Sequence, residues 1–369
     1  MKIKNYLLIF VAGLLLYSCN NNSDAQILEK VVLKSIEITT LPTKTTYCEN
    51  ELFTSDGMEV KANYSDNKSK FVTDFTCTPS GKLSVTDKII TVSYTEENIT
   101  VTTSIPIRVC PNYNVTFNYE TAKDNYTTFT ITGGLYNEES GIITLTPTKE
   151  KEEYILSGYF NGQIINNTKN TVLTLNGVYI ENTTGNPAIL STKKMEISVK
   201  ENTDNYIIST GEANGKKGTI YCYDSVDDKL KNLEIGGKGK CYILGFYHGI
   251  KADEVKAKGS GIYYITGTNK GSAINCNSFV IESEKNITLC LGNAKNGIKA
   301  DETISISSGT LWLENVTTGL KTDTTEDKPD KEYFIKLSDC KIYTKNIKDL
   351  YSTEKDSYIT NNIVLGEIK

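Results

Sequence analysis

The sequence predicts an all-β protein in which an N-terminal β-sandwich is followed by a parallel β-helix. Three observations carry this. Gly249-Ile250-Lys251-Ala252-Asp253 recurs intact as Gly297-Ile298-Lys299-Ala300-Asp301 and, altered, as Gly319-Leu320-Lys321-Thr322-Asp323, with a weaker copy from Gly271 to Asn277. Aligned on the apolar residue, the copies fall at Ile250, Ile274, Ile298 and Leu320, spaced by 24, 24 and 22 residues, a period that marks a repeat architecture. From Val31 to Val109, short alternating runs are separated by turn residues, the pattern of a sandwich. No stretch of the chain carries a long amphipathic helical period.

Residues 1–18 read as an export leader. Met1-Lys2-Ile3-Lys4 is a short basic start, and Tyr6 to Leu16 is an apolar run too short to span a bilayer. Leu16-Tyr17-Ser18-Cys19 resembles a bacterial lipobox, which makes Cys19 the lipidated first residue of the mature chain. Residues 19–30, opening with Asn20-Asn21-Asn22-Ser23-Asp24, read as a polar tether. The expected location is the bacterial cell envelope, lipid-anchored at the outer membrane or cell surface, with the oligomeric state open.

Residues 31–110 form the expected sandwich, with strands at Ser35–Thr39, Met58–Tyr64 and Ile99–Ile105 and turns at Ser65-Asp66-Asn67 and Pro79-Ser80-Gly81. Leu41 to Tyr47, Asp56 to Val60 with Tyr64-Ser65-Asp66, and Val92 to Glu96 resemble bacterial immunoglobulin-like surface modules. That resemblance implies a spacer or adhesive unit without chemistry. Residues 111–150 read as cap or linker strands, and 151–369 as the repeat domain. Further rungs fit at Ala188-Ile189, at Thr219-Ile220 and downstream to Leu350. A β-propeller needs blades of about 40 residues or more and ranks second.

Composition excludes several functions. The net charge is −5, with no basic block to suggest nucleic acid. Arg108 is the only arginine, so bidentate guanidinium clamps are not available along the repeats. His248 is the only histidine, so a histidine-rich zinc site cannot form and any Ser-His-Asp triad must use it. Of the cysteines, Cys222 and Cys276 read as buried free thiols, while Cys48 and Cys77 share the sandwich and are close enough in sequence to pair.

Strand alternation assigns directions within the repeat. With Ile250 inward, Ala252 is inward too, and the columns Ile250, Ile274, Ile298, Leu320 and Ala252, Cys276, Ala300, Thr322 fill the core. The outward columns are Lys251, Asn275, Lys299, Lys321 and Asp253, Asn277, Asp301, Asp323. Rungs stack about 4.8 Å apart, so like charges repeat at close range and repel. A cation held among the acids, or a polyanion laid along the lysines, removes that cost. Ca2+ takes carboxylate and amide oxygens, and Asp253, Asn277, Asp301 and Asp323, joined by Glu254 or Glu302, are the candidate ligands. The competing reading is a row of solvated Lys–Asp pairs, each worth under about 1 kcal/mol. Tyr221 and Tyr223 fall in the same outward columns one rung earlier, with Tyr247 at the adjoining turn, and exposed rings there would stack on sugar faces.

Glu153-Tyr154-Ile155-Leu156-Ser157-Gly158, Thr174 to Ile180, Asn186-Pro187-Ala188-Ile189, Gly237-Lys238-Gly239-Lys240 and the Gly-Ile-Lys motifs resemble the calcium-dependent carbohydrate-binding β-helix family over roughly residues 150–325. The resemblance implies a pectate-lyase-like fold that binds acidic plant polysaccharide such as polygalacturonate. It departs from the family at Asn275 and Asn277, where a lysine and an acid are usual. Three functions stand, in order: a non-catalytic binder of acidic polysaccharide through Lys251, Lys299, Lys321, Tyr221 and Tyr223; a structural adhesin; and a calcium-dependent lyase with a lysine base. The regularity of the ladder places catalysis last, since a catalytic site is a singular cluster.

Overall fold

The structure, a computed structural model, describes residues 30–113, 115–323, 334–353 and 358–368. The leader, Cys19 and the tether up to residue 29 lie outside the described residues. The protein is all-β: among the described residues the only helical turns are Tyr119–Ala122 and Lys123–Asn125.

The N-terminal alternation folds into two three-stranded antiparallel sheets. Leu33–Thr40, Glu59–Tyr64 and Ser69–Val72 make one, and Thr76–Thr78, Ile89–Glu96 and Ile99–Pro106 the other. Period-2 spacing puts Val60 and Ala62 from the first, and Ile90, Val92 and Tyr94 from the second, into one buried cluster. Thr46–Cys48 pairs in parallel with Arg108–Cys110, which sets Cys48 opposite Cys110. Cys48 does not pair with Cys77; every described cysteine is a free thiol, and Cys222 and Cys276 are buried as expected.

The rest of the chain joins one sheet of 23 strands. Strands pair in parallel with their counterparts one pass later, so the chain stacks three ladders of inward-facing aliphatics. One runs Ile143, Ile164, Ile189, Ile220, Ile250, Ile274, Ile298, Leu320. A second runs Leu173, Ile197, Ile235, Ala257, Ile281, Ile306, Leu337. The third runs Ile180, Ile207, Ile243, Ile265, Leu291, Leu313. All belong to one buried core. The rungs at Ile189 and Ile220 fall as the sequence indicates. Downstream the register lands on Tyr351 and not Leu350. Parallel stacking begins at Ile142–Leu145, ahead of Glu153.

A fourth column faces outward and is aromatic. Tyr159, Tyr179, Tyr206, Tyr242 and Tyr264 follow one another in register, then Cys290, Trp312 and Tyr343. Ring centroids along the tyrosines are 5.6, 5.3, 4.6 and 4.7 Å apart. The segment between the two parts of the chain lies along this column as a strap. Tyr113 packs edge-on against Trp312 and Tyr126 edge-on against Tyr206, while Phe117 meets Tyr242 and Tyr126 meets Tyr179 at a tilt. Tyr179 donates from its hydroxyl to Tyr119 O at 2.9 Å, and Tyr126 to Asp204 O at 2.7 Å. So much of the tyrosine content holds the strap down and is not free for sugars.

At one corner, Asn293, Asn315 and Asn346 all adopt left-handed φ values of 48°, 54° and 52°. Their amides form a ladder: Asn315 Nδ2 donates to Asn293 Oδ1 at 3.0 Å and Asn346 Nδ2 to Asn315 Oδ1 at 3.1 Å. Asparagine tolerates this conformation and closes the turn with its own side chain. Asn315→Ala is expected to destabilise by about 1–2 kcal/mol, combining a left-handed penalty with lost hydrogen bonds. Asn315→Gly restores the backbone only and falls between. Thermal melts of the three proteins check this, and an unchanged Tm for Asn315→Ala refutes it.

Candidate functional site

The predicted lysine column is real. Leu190, Tyr221, Lys251, Asn275, Lys299 and Lys321 occupy successive rungs in direct register, a run of roughly 24 Å at the usual strand spacing. From Tyr221 to Lys321 they line one side of a cleft of about 530 Å³. Lys216 and Lys270 join from loops and Lys295 from the strand Thr288–Ile306, so the lining holds six lysines against the three aspartates Asp228, Asp301 and Asp323. On a chain of net charge −5 this is a concentrated cationic surface. A second hollow continues it past Tyr221 toward Gln163, Asn186 and Leu190, sharing Lys216, Tyr223 and Lys251.

The lysines are not equivalent. Lys299 Nζ lies 2.9 Å from Asp323 and 3.4 Å from Asp301, and Lys321 Nζ 3.0 Å from Asp323. Burial alone would lower the Lys299 pKa, but the carboxylates outweigh it and hold it above the ordinary lysine value. Burial would likewise raise Asp323, and Lys299 and Lys321 instead keep it below the ordinary carboxylate value. Lys251 differs. Its ammonium donates to Lys216 O at 3.0 Å and lies 5.7 Å from the Tyr221 ring centroid. Burial, reinforced by Lys216 and Lys299, depresses its pKa despite Asp301.

The aspartate column departs from expectation. The repeat carries an irregularity: Cys276 pairs with Ala300 but Ser278 with Thr303, so an extra residue at Asp301-Glu302 throws Asp301 out of line with Asn277. Asp253 and Asn277 lie outside the cleft lining, where Asn277 Nδ2 donates to Asp253 Oδ1 at 2.6 Å. Among the described residues no group of three or more His, Cys, Asp or Glu side chains converges on a metal position. Asp253, Asn277, Asp301 and Asp323 thus fall into two separate sets of contacts. Two of them are engaged by ammonium groups and the other two bond each other.

The tyrosines also need correction. Tyr221 is only 9% exposed, so its ring is no open stacking platform. Tyr223 pairs with Leu230 in a short antiparallel hairpin and does not stand above Asp253. The two rings stack on each other, centroids 5.2 Å apart and 5° from parallel, and Tyr223 donates from its hydroxyl to Asp228. They form a wall at the end of the lysine row.

Sequence reasoning missed a second column beside the lysines. Gly218 pairs with His248, and Ser272 with Asn296 and then Thr318. His248, Ser272, Asn296 and Thr318 are all buried polar residues, and the first three line the cleft. Ser272 N donates to His248 Nδ1 at 2.9 Å, and Asn296 Nδ2 to Ser272 Oγ at 3.1 Å. Two residues before Ile250, Ile274, Ile298 and Leu320 the sequence carries His, Ser, Asn and Thr, too mixed for a column to be seen without the register.

Comparison with curated proteins finds no match. Among solved structures, one titled as the polysaccharide lyase-like protein from C. thermocellum, a gadolinium derivative, is similar at 21% identity. It covers 63% of this chain and 92% of that chain, with a TM-score of 0.38. Residues 137–290, which include the cleft from Lys216 to Asn275, match the family model described as carbohydrate-binding domain-containing protein.

Proposed function

We propose that the protein is a non-catalytic carbohydrate-binding lipoprotein that holds an acidic, polygalacturonate-like polysaccharide along the lysine cleft. The carrying observation is the row Lys251, Lys299, Lys321 in one elongated cleft with six lysines against three aspartates. Carboxylates spaced along a polymer meet ammonium groups spaced along the rungs, and the carbohydrate-binding family match over residues 137–290 supports the ligand class. On this reading the three parallel ladders are a parallel β-helix, the antiparallel sheets are an immunoglobulin-like spacer, and Cys19 carries the lipid anchor. The reading rests on the lysines and not on calcium, since Asp301 and Asp323 are already engaged by Lys299 and Lys321.

A lyase remains the second reading on one observation: Lys251 is lowered in basicity where Lys299 is raised, which breaks the regularity that argues against a singular base. Retention on polygalacturonate, with calcium and with chelator, while following the absorbance of an unsaturated uronate product, separates the possibilities. The expected result is retention unaffected by chelator and no product. Loss of retention on chelation overturns the lysine reading, product formation makes the protein a lyase, and no retention leaves an adhesin. Asp301→Asn gives a sharper outcome. Releasing Lys299 from a carboxylate is expected to strengthen polyuronate binding several-fold, whereas a calcium site would lose it.

A further inference from the structure

We propose that His248 is a neutral hydrogen-bond donor of the cleft, its Nε2–H acting with Lys251 on one uronate unit of the bound polymer. This deepens the reading above and rests on it. The imidazole is 6% exposed and lines the cleft. Its Nδ1 accepts from Ser272 N at 2.9 Å, so in the neutral ring the proton sits on Nε2. Among the described residues Nε2 has no hydrogen-bond partner in the fold, yet it is not among the buried atoms left unsatisfied. It therefore opens onto the cleft. The Tyr247 ring packs edge-on against it at 4.8 Å and fixes its plane.

Neutrality is built in. Burial comes first in pushing the His248 pKa down, to about 3, and Lys251, Lys299 and Lys216 push the same way, against the Ser272 contact. These cations face the ring from its own strand, from the strand carrying Lys299 and from the loop carrying Lys216. Asn296 and Ser272 from the neighbouring rungs are uncharged. A donor held in one tautomer at every physiological pH reads a sugar oxygen by position, while Lys251 supplies charge. The pairing separates uronates from anions that need charge alone.

The only histidine in the chain gives a single set of ring signals, which suits NMR of the full mature chain titrated with oligogalacturonate. Expected are the Nε2–H tautomer throughout pH 5–8 and a shift of the Nε2 and Hε2 signals on saturation with Nδ1 little moved. His248→Ala is expected to weaken binding roughly 3- to 10-fold, with His248→Gln recovering part of it through its amide. The NMR arm stands even if a variant fails to fold. Unmoved Nε2 signals at saturation, or a titration near 6.5, overturn the proposal while polygalacturonate binding and its Lys251 dependence keep the function. Absence of any polyuronate binding overturns both.

Discussion

Lys251→Ala is expected to weaken binding to polygalacturonate roughly 10- to 100-fold. A charge-assisted hydrogen bond in a partly desolvated site is worth about 1.5–3 kcal/mol, and each 1.4 kcal/mol is tenfold in Kd. Lys251 is singled out because no carboxylate must be displaced before it meets a ligand. Lys299 and Lys321 exchange Asp301 and Asp323 for the incoming carboxylate, so their alanine variants should lose less. Lys270 at the exposed rim should lose under roughly fivefold, as exposed pairs do. The pH dependence follows from the depressed Lys251 pKa. A bound carboxylate raises it again, so binding is strongest while the free lysine is charged and weakens as pH rises through its free value, below the ordinary 10.5. Isothermal titration of the parent and the four variants across pH 6–10 checks this. Equal losses at Lys251 and Lys270 would mean that diffuse charge alone holds the polymer.

The largest stability effect is expected at Glu314. This carboxylate is 4% exposed; it accepts from Val115 N at 3.1 Å and Trp312 Nε1 at 3.1 Å and pairs with Lys345 Nζ at 3.0 Å. It ties the strap to the coil beneath the aromatic column. Glu314→Ala leaves a buried backbone N–H and an indole N–H without acceptors, at about 1–3 kcal/mol each, so a loss of roughly 3–5 kcal/mol is expected. Burial by itself would raise the Glu314 pKa, but Val115, Lys345 and Trp312 outweigh it and the folded value lies below 4.5. Its contribution is thus complete above the unfolded value near 4.5 and is lost as pH falls through the folded one. Denaturant unfolding at pH 7 and in that acid window checks both parts. A Glu314→Ala protein as stable as the parent, or a loss independent of pH, would show that the strap is held by aromatic packing alone.

Much of the architecture is legible in the sequence because one period governs it. Ile250, Ile274, Ile298 and Leu320 must all point inward for the stacked core to exist, so the lysine one residue on must point out. Nothing local can reverse that. The aspartates two residues further on failed to align because one extra residue near Asp301 changes the register within a single rung. A bulge leaves no trace in a motif whose letters are unchanged. Tyr221 falls on the expected column, but the turn from Ser225 to Asp228 folds Tyr223 into a hairpin with Leu230, and insert conformation is not periodic. The aromatic column was hidden for another reason. Its members are one per pass on strands whose spacings vary, and the residues covering it come from the connecting segment.

The strap has a mechanical consequence. It leaves the N-terminal sheets beside Cys290, Trp312 and Tyr343, near the late passes of the coil, where Arg108 also donates to Leu365 O. It then runs back past Tyr242, Tyr206 and Tyr179 before the first pass begins. Tension applied from the N-terminal side therefore enters along the coil's length and is resisted in shear by many rings at once. A chain entering directly at its first rung would be peeled away one pass at a time. On the proposed function, in which the polymer lies on the same rungs, such a load reaches the lysine row through the packed rings and not through the first rung alone.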